Sequence, residues 1–176
     1  MGDDQGMVNI SAAYTGRWAS RYRDLAIRYN EKVWNLAESV DTGEDTLFGL
    51  TDGQDGASFL LRVEYVRGAE RFDDRAYVQA LADGILDAAE PLGEAGCREL
   101  TLAGLRFHCA DYRYHNPRFG EQLLRHAFMK HGDYVVVMAL AWPVAEPLVP
   151  GGRFPLRHTL LLEGVRIGPH LYRQSG

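Results

Sequence analysis

The chain contains only 2 cysteines in 176 residues and has no long apolar run. Two cysteines cannot supply the several disulfides that hold small secreted scaffolds together. The most apolar stretch, residues 134–142 (YVVVMALAW), is nine residues long, whereas a helix needs about 20 apolar residues to cross a bilayer. The sequence therefore predicts neither a disulfide scaffold nor a membrane protein.

The sequence also has no excess of positive charge. It has 19 Lys and Arg against 24 Asp and Glu, for a formal net charge of −5. Domains that bind nucleic acid are usually basic, so we expect no nucleic-acid partner. The first 20 residues begin acidic and contain no apolar run of the kind found in a secretory signal. These features favour a cytoplasmic protein that does not contact the membrane.

Length and composition bound the organisation of the chain. At 176 residues with 46% hydrophobic residues, a prior of about 150 residues per domain predicts a single domain with one core. Residues 1–20 are mixed and show no hydrophobic periodicity, so we expect a flexible tail there. The rest of the chain, over residues 21–170, is predicted to form a single domain.

Apolar patterning predicts mostly strands, with two helices. Residues 74–90 form the clearest helical pattern, with Asp73 as the N-cap and Pro91 just past the end. Residues 156–165 predict a closing helix. Short strands are predicted over 22–29, 33–38, 46–50 and 58–66, and longer ones over 121–131 and 134–142.

Residues 98–102 and 105–114 predict a hairpin whose register can be checked by arithmetic. A two-residue loop at Ala103-Gly104 pairs positions whose numbers sum to 207. The apolar face then collects Leu100, Leu102, Leu105, Phe107 and Cys109, and the polar face collects Glu99, Thr101, Arg106 and His108. This separation is what a half-buried antiparallel pair requires, although Ala103 must then accept a positive φ. The same register places Cys97 and Cys109 on opposite faces, so it predicts two free thiols.

Strands grouped in runs, instead of alternating with helices, indicate an α+β fold. We therefore expect a mostly antiparallel β-sheet with two principal α-helices packed on one face.

The sequence offers no catalytic or metal-binding motif. No zinc-type spacing of Cys and His, nucleophile elbow, P-loop or dinucleotide fingerprint occurs. His108 faces Glu99 in the predicted register, which is an ordinary cross-strand pair. We expect no catalytic residue, no metal ligand and no cofactor, and hence a protein that is not an enzyme.

The aromatic and arginine-rich run over residues 106–118 (RFHCADYRYHNPR) is the candidate binding surface. Tyr and Arg are enriched at protein interfaces, because they bury area and also form hydrogen bonds. The other interpretation is an ordinary sheet face, either solvated or packed on a second layer. The residues predicted to bind another protein are Arg106, His108, Tyr112, Tyr114 and Arg125.

The order of these motifs resembles the superfamily that includes photosystem PsbP, the Ran-binding Mog proteins and the bacterial DcrB-like proteins. The matching motifs are LAIRYNEKVW, ASFLLRVEY, FDDRAY, LAGLRFHCADYRY and QLLRHAFMKHGDYVVVMALAWP, in the family's order between Tyr22 and Val165. The resemblance implies a PsbP/DcrB-like α/β sandwich.

Within that superfamily, the chain is most similar to the cytosolic Eag-type chaperones of type VI secretion. The resemblance implies a dimeric chaperone or adaptor that binds an apolar N-terminal segment of a secreted bacterial effector. A longer N-terminal tail and a longer Pro/Gly-rich loop before the last helix depart from that family. These departures leave open an immunity protein that binds and neutralises a cognate toxin.

Overall fold

The structure is a computed structural model that describes residues 14–66, 89–93 and 96–171. Strands account for 55% of these residues. In chain order the elements are β1 Gly16–Ala19, β2 Leu25–Tyr29, β3 Asn35–Asp41, β4 Asp45–Thr51, β5 Ser58–Tyr65, β6 Glu90–Pro91, β7 Glu99–Leu102, β8 Leu105–Asn116, β9 Gly120–His131, β10 Tyr134–Pro143, α1 Leu156–Glu163 and β11 Val165–Ile167.

The larger of the two sheets in the described residues is antiparallel and has eight strands. Its order is β3-β4-β5-β10-β9-β8-β6. Strand β7 pairs with the first residues of β8, on the same edge where β6 pairs with later ones. The hairpin of β9 and β10 pairs His131 with Tyr134, which confirms the strands predicted over 121–131 and 134–142. Strand β10 lies at the centre and is buried on both faces, which explains its nearly uninterrupted apolar sequence.

The main core lies between this sheet and a smaller layer. The smaller layer contains the three-stranded sheet β1-β2-β11 and the helix α1. Ile27 on β2 and Leu161 on α1 are buried in the same cluster as Phe59 and Met138 of the large sheet. Gly164 ends α1 against β2, where a Cβ would collide with the Arg28 carbonyl oxygen. Alternate β10 residues, among them Val135 and Val137, are buried on the opposite face of the sheet.

The predicted α+β class with two principal helices is wrong. The part of the chain that the structure describes contains one short helix, α1, of 8 residues. The physical reason is that a second sheet supplies much of the layer over the main core, through residues such as Leu25 and Ile27. Most of the helix predicted over 74–90 lies outside the described residues, and its last residue, Glu90, belongs to strand β6.

The hairpin of β7 and β8 has the predicted register. Glu99 pairs with His108 and Leu102 pairs with Leu105. Ala103 takes the required positive φ, at 51°, and Gly104 follows at 78°. The apolar face is buried or half-buried, and the polar face is exposed.

The prediction of two free thiols is wrong, because Cys97 and Cys109 form a disulfide with Cα atoms 5.7 Å apart. The prediction continued the strand alternation of β7 back to Cys97, but β7 begins only at Glu99. Outside the strand, the backbone turns the Cys97 side chain towards the core, where it packs against buried residues.

The prediction of a flexible tail over residues 1–20 does not hold for its last residues. Gly16–Ala19 forms β1 and pairs with β2, while residues 1–13 lie outside the described residues. In the described part of the chain, no helix has the length and apolar character needed to cross a membrane.

Candidate functional site

The five residues predicted to bind a partner do not form one surface. Arg106, His108, Tyr112 and Tyr114 alternate along one face of β8. Arg125 pairs in register with Asp111, so it lies on the opposite face. Tyr112 is 3% exposed and Arg125 is 7% exposed, so neither side chain offers area to a partner in this conformation.

The remaining predicted residues are engaged within the sheet. The His108 ring lies 5.7 Å from the Phe128 ring. Arg106 donates to the Glu99 carboxylate, so Glu99 is ion-paired along the same hairpin. Burial raises the pKa of the Tyr114 hydroxyl. This face is therefore exposed at Arg106 and His108 and buried at Tyr112.

Arg125 holds a buried ion pair instead of a surface contact. Its Nε and Nη2 donate to the two carboxylate oxygens of Asp111, both at 2.9 Å. Its guanidinium also lies over the rings of Trp142 and Phe154. A third donor group, Nη1, donates to the Arg153 carbonyl oxygen. Arg125 therefore connects strands β8 and β9 to the loop before α1.

A groove lies next to this ion pair, between β7 and the loop before α1. Two adjoining cavities of about 560 and 470 Å³ form it. We call it the β7 groove, and its principal residues are Cys97, Glu99, Leu100, Thr101, Arg125, Leu148, Val149, Gly152, Arg153 and Phe154. The groove thus has a mixed polar and apolar lining, with the guanidinium groups of Arg98, Arg125 and Arg153 and the backbone of a strand.

Strand β7 directs some of its backbone groups away from β8 and towards this groove. Among the described strands, β7 pairs with β8 alone. The Cys109 N–H donates to the Arg98 carbonyl at 2.9 Å, and bonded positions alternate along an antiparallel pair. Leu100 therefore bonds to β8, whereas the N–H and C=O groups of Glu99 and Thr101 point away from it. Arg153 Nη1 donates to the Glu99 carbonyl at 2.8 Å, which agrees with a Glu99 carbonyl that points away from β8.

The disulfide and Asp111 shape the end of the groove. The Cys97 N–H donates to Asp111 Oδ2 at 2.9 Å, and Arg153 Nη1 lies 3.5 Å from Cys97 Sγ. Cys97 is thereby held to β8 by the disulfide and by this hydrogen bond. Arg153, in the loop before α1, contacts Cys97 in the segment before β7. These two segments form the walls of the groove.

A second cluster of charges surrounds Arg157 on α1, and it is structural. Arg157 donates to carboxylates of Asp52, Asp55 and Glu146 at 2.5–2.6 Å, which attaches the turn after β4 to the helix. These bonds lower the pKa of Asp55 against the effect of its burial. Arg157 pairs with all three carboxylates, so none of the three is left unpaired to bind a ligand. Residues 53–55 form a turn between β4 and β5.

Two buried histidines are electrically neutral parts of the core. Burial lowers the pKa of His126 and of His158 from 6.5 to about 4. His158 Nε2 donates to the Ser58 carbonyl, with Trp34 and Trp142 against its ring. Within the described residues, no three His, Cys, Asp or Glu side chains cluster closely enough to hold a metal ion.

Sequence reasoning missed Arg153, the residue at the centre of the groove. It stands in the Pro/Gly-rich loop over 143–155, where no strand or helix period fixes its direction. The adjacent glycines mark a tight turn, in which Gly152 N–H donates to the Val149 carbonyl at 2.7 Å.

Comparison with known proteins adds no relative from which a function could be carried over. No protein-family model matches the chain, and no curated protein sequence matches it significantly.

Proposed function

We propose that this protein is a non-catalytic binding module that takes up an extended segment of another protein along β7. The observation that carries the proposal is the backbone of Glu99 and Thr101, which points away from β8 towards the β7 groove. An added strand would bond to these groups, and its alternate side chains would enter the two cavities.

The lining of the β7 groove supports this mode of binding. Leu100 and Phe154 form apolar walls, and Leu148 at the rim is 46% exposed. Backbone hydrogen bonds give affinity in strand addition, and pockets for alternate side chains give specificity. A groove with both features fits an extended peptide better than a compact small molecule.

The setting that we propose is a chaperone or adaptor for a secreted bacterial effector of the type VI system. This role comes from the resemblance described above, together with the groove. Covering an apolar segment of the effector would lower its aggregation before secretion.

The cytoplasmic location is also part of the proposal, and the disulfide Cys97–Cys109 opposes it. Disulfides are rare in cytosolic proteins, where thiols are kept reduced. Cell fractionation checks this location. Recovery in the cytoplasmic fraction supports it, and recovery outside the cytoplasm contradicts it.

The test of the binding site is the substitution Thr101→Pro. Proline removes the N–H of Thr101, which does not bond to β8, and blocks an incoming strand. The control is Thr101→Val, which keeps the backbone donor. Each variant is co-expressed with the N-terminal segment of an effector encoded by an adjacent gene. We expect the native chain and Thr101→Val to raise the soluble yield of that segment, and Thr101→Pro to lose this effect.

Two results would contradict the proposal. Equal rescue by Thr101→Pro, in a variant whose unfolding midpoint is unchanged, would exclude strand addition at β7. Binding to the toxin domain, with no effect on the N-terminal segment, would exclude the chaperone role and identify an immunity protein.

A further inference from the structure

We infer that the β7 groove selects a segment that carries an acidic side chain, and that Arg153 recognises the carboxylate. The inference rests on the proposed addition of a strand at β7 and names the chemistry of the partner.

Arg153 lies where the two cavities of the groove meet, and it lines both. Its Nη1 group donates to the Glu99 carbonyl at 2.8 Å and approaches Cys97 Sγ at 3.5 Å. A guanidinium group has five N–H donors in a planar fork. Within the described residues, Arg153 has no carboxylate partner, so most of these donors remain available.

Two other charges at the groove are compensated by described residues. The Glu99 carboxylate lies 2.5 Å from Arg106 Nη2. Arg125 donates through Nε and Nη2 to Asp111. Arg98 also lines one cavity and is engaged in an interaction of its own. Arg153 lines both cavities, and no described acid neutralises its charge. A carboxylate on a bound strand matches it, because the planar fork accepts a carboxylate through two parallel hydrogen bonds.

The negative charge of the whole protein does not prevent this contact. The formal net charge is −5, but salt screens charges that lie farther apart than about 8 Å at physiological ionic strength. The guanidinium at the site is closer to the bound segment than that distance. The local charge of Arg153 therefore determines which side chain is preferred beside it.

Strand addition also explains why Arg153 contacts the backbone of β7 in the free protein. The Glu99 carbonyl is one of the groups that an incoming strand would use, and Arg153 holds it in the absence of a partner. When a peptide N–H takes over this carbonyl, the guanidinium is released to bond to the acidic side chain.

The experiment is a selection from a displayed library of random 12-residue peptides. The library is panned separately on the native protein, on Arg153→Gln and on Arg166→Gln. Arg166 is an exposed arginine on β11, in the smaller sheet, and serves as the matched control. The peptide most enriched on the native protein is then synthesised in its original form and with its acidic residue changed to the amide.

We expect peptides selected on the native protein and on Arg166→Gln to share an acidic residue at a fixed place in an alternating apolar pattern. The change from acid to amide should weaken binding at least tenfold on the native protein and by less than twofold on Arg153→Gln. Equal affinity of the acid and amide peptides on the native protein would overturn the inference. The same acidic preference on Arg153→Gln would overturn it as well.

Amide hydrogen exchange at Thr101 separates this inference from the proposed function. Peptides that protect the Thr101 N–H without any acidic preference would overturn the role of Arg153 and leave strand addition standing. A library that yields no peptide able to protect this N–H would overturn strand addition, and the inference with it.

Discussion

Ala103 holds the one positive φ of a non-glycine residue among the described residues, at 51°. This conformation costs an L-residue with a Cβ roughly 1–2 kcal/mol, and Asn tolerates it much better. We expect Ala103→Asn to raise the free energy of unfolding by about 0.5–1 kcal/mol. Urea denaturation measures the change, with Ala145→Asn at another exposed turn as the control. A lower stability for Ala103→Asn would contradict this account of the hairpin turn.

The two buried imidazoles make stability depend on pH. Burial lowers the pKa of His126 and His158 to about 4, against 6.5 for a free imidazole. The unfolded chain therefore binds protons first as the pH falls, so the free energy of unfolding falls between about pH 6.5 and pH 4. The loss is up to about 3 kcal/mol for each imidazole. Urea denaturation at pH 7 and pH 5 should show a smaller difference for His126→Leu than for the native chain, and an equal difference would contradict this assignment.

At the scale of elements, the Asp111–Arg125 pair joins β8 to β9 and to the loop before α1. We expect Arg125→Met to cost about 3–5 kcal/mol, because it leaves the Asp111 carboxylate buried without its partner. The double variant with Asp111→Leu should recover part of this loss. Urea denaturation of both variants measures the difference, and a double variant less stable than Arg125→Met would contradict the pairing.

The disulfide Cys97–Cys109 closes a loop around the β7–β8 hairpin with a sequence separation of 12. A loop of this length stabilises the folded chain by about 3 kcal/mol through the entropy of the unfolded state. We expect a dithiol reductant to lower the unfolding midpoint of the native protein and to leave that of Cys97→Ser unchanged. Alkylation of both cysteines in unreduced, denatured protein would show that the disulfide is absent.

The elements that could be predicted from sequence are those whose pairing is fixed by a short turn. The two-residue turn at Ala103 set the register of β7 and β8, so the separation of Leu100 from Thr101 was predicted correctly. The register of β8 against β9 follows a longer connection, and nothing in the pattern indicated that Arg125 would pair with Asp111. The disulfide was missed because alternation does not extend beyond the end of a strand. Strand β1, with 4 residues, and strand β11, with 3, are too short to show a period.

At the scale of the whole molecule, the fold combines a well-buried sheet with the β7 groove at its side. The central strand β10 is covered on both faces, so it offers no surface to a partner. Strand β7 differs from β10, because it has a single described neighbour, β8. The backbone groups of Glu99 and Thr101 point away from that neighbour. The proposed strand addition at β7 would extend the larger sheet without rearranging the core.

The most direct test of this account is the exchange rate of the Thr101 amide hydrogen, measured by NMR without and with the bound effector segment. Strand addition predicts that exchange at Thr101 slows at least tenfold on binding. The Leu100 amide, which already bonds to β8, should change little. A segment that binds while the Thr101 amide continues to exchange at its original rate would contradict the account.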